Sequence, residues 1–270
     1  MVAGTMKLVR KPSVAGQFYP GDANGLKAAV TGYLKEAADD TETNGRAPKA
    51  LIVPHAGYAY SGSVAASGYA RIAGAAETIT RVVLLGPAHR LPFEGLALPR
   101  VDGFETPLGI VPVDADAVAR IEHLAQVRSL PSAYEDEHSL EVHLPFLQTL
   151  LGKFSLVPLV VGAATAEQVA AVLETLWGGE ETLIVVSTDL SHYYDYETAR
   201  VKDAATSAAI EALDDRSIGP DDACGRVPVS GLLVAARAHG IAARTVDLRN
   251  SGDTAGPRNR VVGYGAYVIG

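Results

Sequence analysis

The strongest constraint on this chain's fold is a set of short, β-forming apolar runs that lack polar alternation. ALIV (Ala50–Val53), VVLL (Val82–Leu85), LVPLVV (Leu156–Val161) and LIVVS (Leu183–Ser187) are apolar at successive positions. Side chains in a strand point alternately to opposite faces, so such a strand must be covered on both sides. Helical patterns lie between the runs at Ala23–Ala38, Gly62–Ala73, Asp114–Leu124, Ser139–Leu151, Ala166–Leu176, Tyr196–Leu213 and Val229–His239. Two more strands are expected at Arg244–Leu248 and Val261–Ile269. The alternation predicts an α/β fold with a central mixed, mainly parallel sheet flanked by helices on both faces. Ser61 and Asp114 are expected to cap helix N-termini, and Gly152 and Gly240 to stop helices. Leu96–Val113 breaks the rhythm and reads as a two-stranded antiparallel insertion, while Asp40–Lys49 and Asp214–Asp222 read as surface loops. The chain has 270 residues, 48% of them hydrophobic. With no long linker or internal repeat, residues 1–270 are expected to form a single domain.

Charge narrows the function classes. There are 23 Lys and Arg against 31 Asp and Glu, a net charge of −8. Neither a basic nucleic-acid footprint nor a polybasic membrane patch is expected. One cysteine cannot form an internal disulfide. The first residues carry basic groups without a following apolar core, and no apolar run is long enough to span a bilayer. A soluble cytoplasmic protein is the expectation.

Three of the seven histidines sit just beyond an apolar run: His55 in VPHAGY, His89 in GPAHR and His192 in STDLSHYY. Ligands of open α/β sheets bind outside the carboxyl ends of the strands. Any one of these residues alone reads as an ordinary hydrogen-bonded histidine. Three at equivalent strand ends, joined by Asp189 in the last loop, read as a shared polar site. Imidazole and carboxylate suit iron, zinc, copper or manganese. Tyr58, Tyr60, Tyr193, Tyr194 and Tyr196 read either as pocket rim or as core. In EDEHSLEVH (Glu135–His143), His138 and His143 lack the HExxH spacing. The acidic run reads as a solvated helix start, from which one histidine reaches in behind the site. Cys224 alone reads as an inert small hydrophobe. No GxSxG elbow, Walker A sequence or GxGxxG follows a strand.

Taken together, AGQFYPGD, VPHAGYAYSG, LLGPAHR, EHSLEVHLPFL, STDLSHY, CGRVPVSG and NSGDTAG…RVVGYGAY, in order from Ala15 to Tyr267, resemble the Memo family. Its prokaryotic members are known as protein B of the AmmeMemoRadiSam system. The resemblance implies a fold similar to the LigB-type class III extradiol dioxygenases, which are non-haem Fe(II) enzymes. It implies a metal held by His55, His89 and Cys224, with Asp189 and His192 lining the same cleft as catalytic groups. Iron is the first expectation, with copper or zinc as alternatives. Radical-SAM and AMMECR1-like proteins of the same system are implied as partners, and a small molecule or peptide as the occupant of the cleft.

Dioxygenases of this fold use a carboxylate where this chain has Cys224. A soft, oxidisable thiolate alters the redox behaviour of a metal, so extradiol ring cleavage is not expected. Three functions remain: a metal-dependent oxidoreductase, a non-enzymatic module that docks a peptide or partner in the cleft, and a metal-assisted hydrolase.

Overall fold

The computed structural model describes residues 8–39 and 47–270. The reading of the extreme N-terminus and most of the expected Asp40–Lys49 loop lie outside the described residues. In chain order the elements are β1 (Val9–Arg10), α1 (Ala23–Asp39), β2 (Ala50–Val53), α2 (Tyr58–Tyr69), β3 (Arg81–Pro87), β4 (Leu96–Leu98), β5 (Gly103–Thr106), β6 (Gly109–Pro112), α3 (Ala115–Ala119) and β7 (Val127–Ser129). They continue with α4 (Leu144–Leu150), β8 (Ser155–Val161), α5 (Ala166–Leu176), β9 (Thr182–Ser187), β10 (His192–Tyr194), α6 (Tyr196–Glu211), α7 (Arg226–Ala238), β11 (Ala243–Asn250) and β12 (Val261–Ile269).

The main sheet has nine strands in the order β10-β12-β2-β9-β3-β8-β4-β7, with β11 also paired to β12. Its middle, β2-β9-β3-β8, is parallel throughout. Antiparallel pairing enters where β12 meets β2 and where β4 meets β8. This is the mixed, mainly parallel α/β sheet that the apolar runs predict.

Alternation along each central strand builds two cores. Leu51, Val53, Val82, Leu84, Leu183 and Val185 pack on the side of α1, α2 and α4. Ala50, Ile52, Val83, Leu85, Ile184 and Val186 pack on the side of α5 and α7. Each fully buried Val, Leu or Ile contributes roughly 1.5–3 kcal/mol of transfer free energy, so losing cover on either face would be ruinous.

The expected insertion is partly corrected. Leu96–Leu98 joins the main sheet as β4, and only β5 and β6 form the antiparallel pair, which β1 extends to three strands. Helix α2 starts at Tyr58 rather than Gly62, so Ser61 is no cap and its hydroxyl donates to the Ala56 carbonyl at 2.9 Å. Asp114 does cap α3, accepting the Ala117 N–H at 2.9 Å. No helix among the described residues is long and apolar enough to cross a membrane.

Candidate metal centre

Strands β2, β9 and β3 are adjacent and parallel, so the loops after their carboxyl ends open on one edge of the sheet. His55 follows β2 and His89 follows β3, and their ring centroids are 5.1 Å apart. His138 completes a triad. Its ring lies 5.5 Å from His55 and 4.9 Å from His89, stacked on the latter at 16°. One ring nitrogen from each of the three lies within 4.8 Å of the others. Donors sharing an ion at about 2 Å are roughly 3–4 Å apart, so small side-chain rotations bring the three to that spacing. His55 is buried, whereas the side chains of His89 and His138 are 28% and 16% exposed, which gives the cluster one open side.

The expected third ligand, Cys224, lies against His55 and is not one of the three mutually close donors. Cys224 Sγ is 3.4 Å from His55 Nε2, close to the ~3.5 Å edge that nitrogen and sulfur span on one tetrahedral ion. The cysteine is tied to the loop after β9. Its backbone N–H donates to the Asp189 carbonyl at 3.2 Å, and its sulfur accepts the Asp189 N–H at 3.3 Å. The next residue must be glycine, because a Cβ on Gly225 would overlap the Ser187 carbonyl and the Thr188 side chain. Burial and then the Asp189 charge push the Cys224 thiol up to about 12. Without a bound cation it is a thiol.

Asp189 and His192, the expected catalytic pair, are placed differently. Asp189 is buried. Its Oδ1 accepts the His55 backbone N–H at 2.8 Å, and its Oδ2 lies 4.0 Å from His55 Nε2. Burial raises its carboxyl above the usual range, against the His55 N–H and histidines 192, 138 and 89. His192 opens β10, outside the triad. Its Nδ1 donates to the Leu190 carbonyl at 2.8 Å, leaving Nε2 as the lone-pair nitrogen.

The EDEHSLEVH segment corrects the sequence reading. Glu137 and Glu141 are 3% and 1% exposed, not solvated. Glu137 accepts the His89 N–H at 2.6 Å and its Nδ1–H at 3.0 Å. Burial opposes its charge, but the His89 hydrogen bond and charge, with the His89 and Ser139 N–H groups, hold it down at about 2. A carboxylate only accepts, so His89 carries its proton on Nδ1 and exposes a bare Nε2. Glu141 accepts from Arg10 Nη1 (2.9 Å), the Ser13 and Val14 N–H groups (2.8 and 2.9 Å) and the Tyr19 hydroxyl (2.8 Å). That clamp holds the N-terminal loop over the site and sets Phe18 edge-on to His138, 4.9 Å between ring centroids.

His138 therefore belongs to the triad itself, and His143 lies behind His55. His138 follows no apolar run, and its signal in the sequence is the density of charged residues around it. Its Nδ1 is buried, lies 3.7 Å from Glu137 Oε1 and has no hydrogen-bond partner among the described residues. Burial, then neighbouring histidines, lower the pKa of His55 well below the usual value, and burial lowers those of His138 and His143. Neutral imidazoles, an orphaned ring nitrogen and an adjacent thiol are a donor set that fits a transition-metal ion. Tyr58 is core, its hydroxyl donating to the Val142 carbonyl at 2.7 Å, whereas Tyr60 and Tyr193 are exposed.

The comparisons with known proteins agree with the motifs. The model of the "Memo-like protein" family matches residues 10–268. A MEMO1 family protein of Aquifex aeolicus is 36% identical over 270 residues, covering 95% of this chain and 97% of the relative. One from Thermotoga neapolitana is 36% identical over 284 residues, covering 97% and 100%. Among solved structures, an uncharacterized protein of Escherichia coli K12 aligns with a TM-score of 0.55 over 83% of this chain and 100% of its own. At 14% identity that likeness concerns the fold alone. The chain belongs to the Memo-like protein family.

Proposed function

We propose that this chain binds a transition-metal ion through His55, His89 and Cys224, with His138 as a further donor, and handles a small molecule in the open side of the cleft. The observation that carries this reading is the convergence of two imidazoles with a cysteine sulfur 3.4 Å from one of them. Iron is the first candidate, with copper or zinc as alternatives. Bound iron or copper would supply one-electron redox chemistry, and zinc would supply Lewis acidity. The protein's own contribution is orientation and proton handling. Glu137 fixes the His89 ring, Asp189 holds the His55 backbone, and His192 offers Nε2 as a base. Oxidoreductase activity is the reaction class this supports, and association with radical-SAM and AMMECR1-like partners is proposed on the family resemblance alone.

Metal analysis of protein purified and reconstituted without oxygen tests the reading. One ion per chain is expected, lost in His89→Ala and Cys224→Ser. Only trace metal after reconstitution would overturn it and favour a docking module that uses the same cleft.

A further inference from the structure

Ser187, the last residue of β9, is fully buried behind His55. Its hydroxyl has three polar neighbours: the Ser139 carbonyl at 2.6 Å, His55 Nδ1 at 2.6 Å and His143 Nε2 at 2.9 Å. A hydroxyl has one hydrogen and two lone pairs. The carbonyl can only accept, so it takes the hydrogen. Both lone pairs then face imidazole nitrogens, and each of these nitrogens must carry a proton. If Ser187 donated to His55 instead, two oxygens would face each other at 2.6 Å with no hydrogen between them, in a site without bulk water to relieve it.

We infer that Ser187 is the positioning residue of the centre: by committing its only hydrogen to the Ser139 carbonyl, it locks His55 as the Nδ1–H tautomer and points a bare Nε2 at Cys224. The Ser139 carbonyl is itself fixed. Ser139 N–H donates to Glu137 Oε1 at 2.8 Å, and its hydroxyl donates to the Pro87 carbonyl at 2.9 Å. Three consecutive residues thus divide the work. Glu137 sets the tautomer of His89 directly, His138 enters the triad, and Ser139 sets the tautomer of His55 through Ser187. An outer hydrogen bond of this kind typically governs metal affinity by 10- to 100-fold.

The tautomer assignment stands on hydrogen bonds alone, while its consequence for affinity rests on the metal reading above. Long-range proton–nitrogen NMR of metal-free protein with labelled histidine, at mildly alkaline pH, reads the first part. His55 protonated on Nδ1 and His143 on Nε2 are expected, and an Nε2–H His55 would overturn the inference. Zinc competition titration reads the second. Ser187→Ala is expected to weaken zinc binding roughly 10- to 100-fold. Ser207→Ala in α6 removes another buried hydroxyl, one bonded to Tyr267, and is expected to bind as the wild type does. Equal losses in both variants, or none in Ser187→Ala, would overturn the positioning role. Should Ser187→Ala not fold, the wild-type spectrum decides. A wild type that binds no zinc yet shows His55 as Nδ1–H would remove the metal reading and uphold the tautomer lock.

Discussion

Asp203 in α6 offers a sharp energetic test, because it is a buried carboxylate with only half its hydrogen bonding met. It is 2% exposed. Oδ1 accepts the Ser191 N–H at 3.0 Å, and Oδ2 has no hydrogen-bond partner among the described residues. Burial raises its pKa from 3.8 to about 6, against the Ser191 N–H and the charges of His192 and Lys202. At about 1.4 kcal/mol per tenfold change in proton affinity, the ionised form costs about 3 kcal/mol. The sign follows from linkage. The folded form binds this proton more tightly than the unfolded chain, so the carboxyl costs nothing below the unfolded pKa. Stability then falls as pH rises from about 4, and the full penalty is present above about 6. Asp203→Asn keeps an acceptor for the Ser191 N–H and has no charge to bury. The stability of Asp203→Asn minus that of the wild type should therefore rise by about 3 kcal/mol between acidic and neutral pH. Urea unfolding at matched pH values measures it, since contributions from the other titrating groups cancel in the difference. A difference that stays flat from pH 4 to 7.5, whatever its size, would refute the reasoning.

Three further outcomes are expected. Glu141→Ala takes the counter-charge from Arg10 and strands two N–H groups and the Tyr19 hydroxyl, and should cost about 3–5 kcal/mol in urea unfolding; a loss under 1 kcal/mol would show that the N-terminal loop is not held by this clamp. Gly263→Ala places a Cβ against the Asp203 carboxylate and should cost about 1–3 kcal/mol or more, a cost that must shrink in an Asp203→Ala background if that overlap is the cause. Asp114 accepts from Ala117 N, Arg81 Nε and Ser155 Oγ at 2.9, 2.7 and 2.9 Å. Burial opposes its charge, but these bonds hold its carboxyl below the usual range. Asp114→Ala should therefore cost about 2 kcal/mol near neutrality, with the loss fading as pH falls below the ordinary carboxylate range, and an equal loss at every pH would contradict it.

The fold was legible where burial alone decides secondary structure. All six expected strands are present, with no end shifted by more than two residues. The three-residue strands β4, β7 and β10 left little trace, because each exists through its pairing partner rather than through composition. The helix expected at Asp114–Leu124 shrinks to Ala115–Ala119. The one expected at Ser139–Leu151 becomes a 3₁₀ turn at Glu141–His143 followed by α4 from Leu144. In the second case the competing force is visible. Glu137 and Glu141 turn inward to meet N–H and guanidinium donors that lie more than 40 residues away in sequence. Helix periodicity carries no record of such partners.

The same residues explain how far the site could be read. His55 and His89 were found because strand ends are announced by the apolar runs before them, and a parallel sheet sends those ends to one edge. Cys224 approaches from a different part of the chain, between α6 and α7, and no periodicity places it there; only the family motif pointed to it. The sequence marks His138 only as a residue that could reach in behind the site and does not mark Ser187, for a shared reason. A histidine within an acidic run and a serine ending a strand are both unremarkable until hydrogens are counted. In water, Glu137 and Glu141 would keep their charges solvated, as the acidic run suggests. Inside the protein, Glu141 is met by four donors, one of them the Arg10 guanidinium, and Glu137 by the His89 ring and two N–H groups. Charge-assisted bonds of that kind are worth about 1.5–3 kcal/mol each, enough for several together to outweigh a desolvation penalty of several kcal/mol per ion. The acidic run is consequently a brace for the centre: Glu141 fastens the N-terminal loop, Glu137 turns His89, and His138 sits between them because both neighbouring anchors hold its backbone against the edge of the sheet.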